Sequence, residues 1–324
     1  MHNHTERSEQ YISRLVDFIV REYNLTVTSI MPAKRGYNGE TWRLNTPGLG
    51  YFVKIVSGEA HKPLYERSFP VIERINQYGV DCISRIVKTA TGFLFTHFEG
   101  AIVGVFDWIE GENVQDERTK LPEYQMLAKV YTVPTDELAM PKERFEAESA
   151  DLFFSQWDEL MRRSSSERTA ALLCLFETHG AIFRRLLARL CMFSERCKVD
   201  LSHRYITHGD AGGNVIISSD RFYLVDWDDP VIAPPERDAW FCMHWAWAMD
   251  GFNEALRQNG IQYTLRPERL AYYCYHSFFY YLTKYIGTYL ESGDGNGALT
   301  SEIAEYIQNC WIYDNIKFAD ENIK

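Results

Sequence analysis

An acidic loop and an acidic strand end lie close together in this chain. His208-Gly-Asp210-Ala-Gly-Gly-Asn214-Val215 is followed by the apolar run Phe222–Val225 and then by Asp226-Trp-Asp228. The run Phe222–Val225 reads as a strand that carries Asp226 to the rim of a site. Gly212 and Gly213 read as a tight loop that can take positive φ. The fold must therefore set a loop carboxylate beside a strand-end carboxylate. Phosphoryl transfer to a hydroxyl uses such a pair. One carboxylate orients the hydroxyl and accepts its proton, and oxygen ligands hold Mg²⁺ against the nucleotide phosphates. Asp210 is the candidate for the first task; Asp226 and the amide oxygen of Asn214 are candidates for the second.

The elements around this motif change character along the chain. Residues 6–23 carry Ile12, Leu15, Val16, Ile19 and Tyr23 at helical spacing, with Asn24 able to end the helix. Short β-like runs follow at Leu25–Met31, Glu40–Asn45 and Tyr51–Val56, then a helix over 62–79 interrupted by Pro70, then strands near Gly92–Phe98 and Ala101–Trp108. From about residue 112 long helical patterns take over, as in Asp151–Arg162 and Thr169–Leu190, with a β-rich stretch at 204–226. The order implies an α+β chain with a small mixed-sheet domain, 1–110, and a larger, mostly helical domain, 111–324. The aromatic stretch Tyr272–Tyr281 reads first as helix packing.

The loop and strand end resemble those of the aminoglycoside phosphotransferase family, relatives of the protein kinases. The run from Asp226 through Asp-Pro-Val-Ile-Ala-Pro-Pro to Glu-Arg-Asp238 is similar to the spectinomycin phosphotransferase branch. The resemblance implies a protein-kinase-like two-lobed fold, a nucleotide-binding N-terminal lobe and a catalytic, substrate-binding C-terminal lobe. It makes ATP and Mg²⁺ the cofactors, a small-molecule hydroxyl the acceptor and Asp238 a structural support. It also implies that Lys54, in the β run Tyr51–Val56, meets the α/β-phosphates and pairs with a helix glutamate, Glu66 by alignment or else Glu73. Phe106–Gly111 becomes the hinge, with Asp107 and Ile109 meeting the adenine. Gly36, Asn38 and Gly39, in a turn before Lys54, fold over the phosphates. That segment does not match G-x-G-x-x-G. The catalytic loop is also one residue shorter than the kinase pattern H-R-D-L-x-x-x-N, with three residues between Asp210 and Asn214 in place of four. A non-catalytic pseudokinase draws its only sequence support from that shortening.

Charge narrows the partners. Residues 1–110 hold 12 basic and 12 acidic side chains; residues 111–324 hold 22 and 33. An acidic surface disfavours nucleic acid, which needs a basic face. The acidic second domain suits a cationic acceptor, aminoglycoside- or aminocyclitol-like by resemblance, with choline, homoserine or sugar kinases as the metabolic alternative. The most apolar run, Trp240–Met249, is ten residues long and too short to span a bilayer. No signal-peptide pattern opens the chain, so a cytoplasmic location is expected. Seven cysteines without a CxxC pair imply free, buried thiols.

Overall fold

The computed structural model describes residues 7–33, 39–59, 61–114, 116–163, 167–219, 221–292 and 297–324. Two compact units emerge, Met1–Pro141 with Tyr205–Ile232, and Lys142–Arg204 with Ala233–Lys324. The boundary expected at residue 110 falls inside the first unit. There the short strand Glu112–Asn113 pairs with Ile216 and Ile217, tying the segment just after residue 111 to the strand that follows the His208–Asn214 loop.

In the first unit, strands β1 (Ser29–Pro32), β2 (Glu40–Asn45), β3 (Gly50–Val56), β4 (Ile86–Val87), β5 (Thr96–Phe98) and β6 (Ala101–Asp107) form one sheet. The order is β1-β2-β3-β6-β4, with β5 on β6. The sheet expected to be mixed is antiparallel at every described pairing. The short turns between β2 and β3 and between β5 and β6 reverse the chain, and only a longer crossover makes a parallel pair.

Strand alternation sorts the side chains of β3 and β6. Tyr51, Val53 and Ile55 share one face with Ala101, Val103 and Val105, and helix α1 (Glu9–Tyr23) seals that face with Leu15, Phe18, Ile19 and Tyr23. Each such large side chain contributes about 1.5–3 kcal/mol on burial. Ser8 caps α1 by accepting from the Tyr11 N–H, and Asn24 ends it at φ 52°. The opposite face presents Phe52, Lys54, Gly104 and Phe106, with Lys54 directly across from Gly104. Helix α2 (Lys62–Gln77) covers this face and continues through Pro70, which is exposed. Phe69 of α2 lies over Gly104, where a Cβ would come within 2.4 Å of the ring. Only glycine lets the helix approach this closely. The same ring stacks on Phe95 and Phe106.

The unit is completed by the strand Glu112–Asn113 (β7), helix α3 (Glu117–Val130), strand β8 (Tyr205–Thr207) and a hairpin, β9 (Val215–Ser218) with β10 (Arg221–Leu224). The second unit contains helices α4 (Glu148–Arg162), α5 (Glu167–Lys198), α6 (Glu236–Ala239), α7 (Ala246–Gln258), α8 (Pro267–Ser292), α9 (Gly297–Asn309) and α10 (Tyr313–Asn322). Helix α8 is its axis. Tyr272, Tyr275, Phe278, Phe279, Leu282, Ile286 and Tyr289 are buried around its circumference, as a central helix requires. The aromatic stretch is therefore core from Tyr272 to Phe279, while Tyr280 is exposed and Tyr281 half-buried. Five of the seven thiols are buried; Cys174 and Cys191 are exposed on α5. No described helix is long and apolar enough to cross a membrane.

Candidate active site

The hairpin β9–β10 brings the acidic loop and the acidic strand end together. Ala211–Gly213 form one 3-10 turn, so the short loop folds back at once. The Asn214 N–H then donates to the Ala211 carbonyl at 3.0 Å, and the Val225 N–H donates to the Asn214 carbonyl at 2.9 Å. Asn214 is thus stitched beside the residue before Asp226. Its Nδ2 donates to the Asp210 carbonyl at 2.6 Å, which leaves the amide oxygen as the atom for a hard cation.

His208 fastens the loop from beneath. It is buried, with Nε2 at 2.9 Å from the Val225 carbonyl. A carbonyl only accepts, so Nε2 carries the hydrogen and Nδ1 accepts from the Asp210 N–H at 3.2 Å. The imidazole packs on Trp227 at 4.6 Å between ring centres, and the Trp227 indole donates to the Leu224 carbonyl. His208 thus positions Asp210, whose side chain stands exposed at the loop tip.

Asp226 adopts φ 67°, the left-handed region that a side chain other than glycine's enters at a cost of about 1 kcal/mol. The Asp228 N–H donates to the Asp226 carbonyl at 2.9 Å, which tightens the turn. Both carboxylates then face Lys54, more than 170 residues earlier in the chain. Lys54 Nζ lies 2.6 Å from Asp226 Oδ1, and 2.6 and 2.8 Å from the two oxygens of Asp228. The Tyr65 hydroxyl donates to Asp228 Oδ2, and the Tyr65 ring stands 4.9 Å from the ammonium.

Charge follows from this packing. Burial alone would push the Lys54 ammonium down, but Asp226 and Asp228 more than offset it and hold the pKa above the usual lysine range. Burial pushes the Asp226 carboxyl up, and Lys54, by charge and by hydrogen bond, brings it below the usual range. Asp228, raised by burial against the pull of Lys54 and pushed further by Asp226, stays above that range. The ammonium is the counter-ion of the pair of carboxylates.

The other expected residues are placed as follows. Gly36 and Asn38 lie outside the described residues. Gly39 passes so close to β3 that a Cβ would meet the Ile55 carbonyl at 2.7 Å, so the hairpin needs glycine there whatever binds above it. Asp107 ends β6. Its N–H donates to the Arg85 carbonyl, its own carbonyl accepts from Ser84 Oγ with one of two lone pairs, and its carboxylate pairs with Arg85 at 2.9 Å. Ile109 is half-buried just beyond it. A cavity of about 450 Å³ on this unit is lined by Tyr51, Asn76, Gln77, Ile86, Val87 and the charged pairs Glu73–Lys88 and Arg85–Asp107, and so takes in one expected residue, Asp107. It does not include Lys54, Asp210 or Asp226.

A sequence model of the APH phosphotransferase enzyme family matches residues 29–273, from β1 into α8. The chain belongs to this family. It is therefore a small-molecule kinase, and its fold is the kinase-like fold of aminoglycoside phosphotransferases. No curated protein sequence matches it. Among solved structures, a spectinomycin phosphotransferase, APH(9)-Ia, in complex with ADP and spectinomycin, is 18% identical. The alignment covers 94% of this chain and 97% of that one, with a TM-score of 0.75. The choline kinase LicA from Streptococcus pneumoniae aligns over 94% and 98% at 16% identity and a TM-score of 0.62. A microcompartment-associated aminopropanol kinase aligns over 95% and 98% at 11% identity and a TM-score of 0.64.

Within this phosphotransferase the expected ion pair between Lys54 and a helix glutamate is not made. Glu66 is exposed and Glu73 pairs with Lys88 at 2.6 Å. The buried stripe of α2 runs through Tyr65, Ser68, Phe69, Ile72 and Ile75. Glu66 sits about 100° around the helix from Tyr65, off that stripe. Tyr65 and Asp228, to which the sequence reading gave no role, meet Lys54 instead. The signal for Tyr65 was available: it shares an apolar stripe at helical spacing with Phe69, Ile72 and Ile75 of α2.

Proposed function

We propose that this phosphotransferase moves the γ-phosphoryl group of ATP to a hydroxyl of a small cationic molecule. The observation that carries the reading is the convergence, within one unit, of Lys54 from β3 on Asp226 and Asp228 beyond β10, with Asp210 held beside them by His208. Asp210 would orient the acceptor hydroxyl and take its proton. Lys54 would steady the α/β-phosphates. Asp107 and Ile109 would border the adenine, and Gly39 with its neighbours Gly36 and Asn38 would lie over the phosphates. Asn214 and Asp226 supply the oxygen donors that suit Mg²⁺, and their fit rests on the Asn214 amide having its nitrogen engaged by Asp210. When bound there, Mg²⁺ neutralises charge on the phosphates. The compact 3-10 turn supports a working loop despite its missing residue, and so favours catalysis over a pseudokinase.

Amine-bearing acceptors fit the charge, because the eleven surplus carboxylates all fall beyond residue 110. Spectinomycin, choline and aminopropanol, named by the similar structures, all carry a cationic nitrogen. An aminoglycoside or aminocyclitol antibiotic, with a role in resistance, is the first acceptor class; an amino alcohol of metabolism is the second. The enzyme would act in the cytoplasm without nucleic-acid or membrane partners. The test is a phosphate-transfer screen with γ-labelled ATP and Mg²⁺ over aminocyclitols, aminoglycosides, amino alcohols and neutral polyols, at low and high salt. Label on amine-bearing acceptors, with kcat/KM falling as salt rises, is expected. Label confined to neutral or anionic acceptors, with no salt dependence, would overturn the cationic reading.

A further inference from the structure

Lys54 is the most demanding residue of the site. Its ammonium is buried on the α2 face of the sheet, at the end of a four-carbon stem with several rotatable bonds. A phosphate-binding lysine needs a partner that holds it still when nucleotide arrives. Asp226 cannot be the sole holder, because the same carboxylate is the donor proposed for Mg²⁺. The helix glutamate that would otherwise serve is off the buried stripe of α2.

The geometry points to Tyr65 and Asp228 as the positioning pair for Lys54, a phenol on α2 and a carboxylate on the 226–228 turn standing where a single helix carboxylate was expected. This inference rests on the reading of Lys54 as the lysine that meets the nucleotide phosphates. Four observations carry it. Asp228 holds the ammonium with both oxygens, at 2.6 and 2.8 Å. The Tyr65 hydroxyl donates to one of those oxygens, which fixes the carboxylate's rotation. The face of the Tyr65 ring lies 4.9 Å from the same ammonium, so the phenol restrains Lys54 directly as well as through Asp228. Finally, the helix is registered for this task. Lys54 pairs across the sheet with Gly104, Phe69 lies over Gly104, and Tyr65 is one helical turn before Phe69 on the same face.

The arrangement has a consequence for function. A helix carboxylate would link Lys54 to α2 alone. Here the link passes through the turn that also carries Asp226, so the lysine and the proposed metal donor move together. Neither Tyr65 nor Asp228 needs to touch substrate; both act through Lys54.

Two measurements test this. The first is a double-mutant cycle on the thermal stability of the nucleotide-free enzyme, with Tyr65→Phe and Asp228→Asn alone and together. Tyr65→Phe keeps the ring and removes only the hydroxyl. Non-additive shifts in Tm are expected; additive shifts would overturn the pairing. The second is steady-state kinetics of Tyr65→Phe with the best acceptor from the screen. Losing a hydrogen bond to a charged acceptor should raise KM for Mg-ATP about ten-fold, with KM for the acceptor unmoved. A merely structural role would lower active enzyme without that split. Glu66→Gln raising KM for Mg-ATP while Tyr65→Phe leaves it unchanged would overturn the proposal. If the unsubstituted enzyme used no ATP at all, the phosphotransfer reading would fall, and the cycle, which needs no nucleotide, would still decide the pairing.

Discussion

Gly104→Ala is the smallest change that should reach the site from the fold. The added methyl would sit 2.4 and 2.5 Å from Cε1 and Cζ of Phe69, more than an ångström inside van der Waals contact. The ring has little room to yield. Phe69 is buried and stacked between Phe95 and Phe106, at 5.1 and 5.8 Å between centres. Relief must come from lifting α2 off β6. Overpacking of this kind costs about 1–3 kcal/mol. For a cooperative unit of this size each 1 kcal/mol lowers Tm by about 2–4 °C, so a fall of roughly 4–8 °C is expected for 2 kcal/mol. Lifting α2 also draws Tyr65 away from Asp228 and Lys54, one helical turn along. KM for Mg-ATP should therefore rise in the protein that remains folded. Differential scanning calorimetry with ATP kinetics at a temperature well below the transition separates the two effects. Adding Phe69→Leu, which removes the offending ring edge, should recover part of both. A Gly104→Ala enzyme with unchanged Tm and unchanged KM would refute the packing argument.

Two further outcomes follow from the site and the second unit. Asp226→Ala should abolish Mg²⁺-dependent nucleotide binding more completely than Asn214→Ala, because a carboxylate is the stronger donor to a hard cation; calorimetric titration of Mg-ATP into both variants checks the ranking, and the reverse order would reassign the metal donors. Glu236 is fully buried, accepts from the Tyr263 hydroxyl and the Arg266 N–H at 2.6 Å each, and burial holds its carboxyl above the usual range despite those bonds and the charge of Arg269. A raised carboxyl contributes stability that is complete below the unfolded value, about 4.3, and is lost as pH rises through the folded value. The Tm of Glu236→Gln minus that of the unsubstituted protein should therefore grow from pH 4 toward pH 7; a constant difference would show that Glu236 does not titrate within the fold.

What the sequence made legible follows physical lines. The β-like runs at Glu40–Asn45 and Tyr51–Val56 match β2 and β3 almost to the residue, because their aromatic and branched side chains suit a packed, pleated surface. Helix α1 and its end at Asn24 were readable from 3.6-residue spacing and a residue that tolerates positive φ. Leu25 and Val27, taken for a strand, pack against the α1 core without entering the sheet, which begins at Ser29. The strand expected from Gly92 starts only at Thr96, because Thr89–Phe93 closes a turn with Gly92 at φ 88°. That Asp210, Asn214 and the start of the 226–228 turn come together was legible, because one loop and one hairpin carry all three. The partner of Lys54 was not. Choosing between Tyr65 and Glu66 depends on the rotation of α2 about its axis, which Phe69 and Gly104 set through a contact across 35 residues of sequence. Asp228 was visible as the second acid of its turn, but nothing in the sequence aimed it at β3.

The proposed role on which the chemistry turns is that of Asp210, held by His208 at the tip of its loop, as the base of a phosphoryl transfer to a hydroxyl. Its most direct test measures transfer of the γ-phosphoryl group from ATP to the best amine-bearing acceptor, by the unsubstituted enzyme and by Asp210→Ala, with Mg-ATP affinity determined on the same samples. A positioned base is worth about 10²–10⁴-fold, so turnover should fall by that factor with nucleotide affinity nearly unchanged. Equal turnover in the two proteins, or a loss that tracks a loss of nucleotide binding, would contradict the role assigned to Asp210.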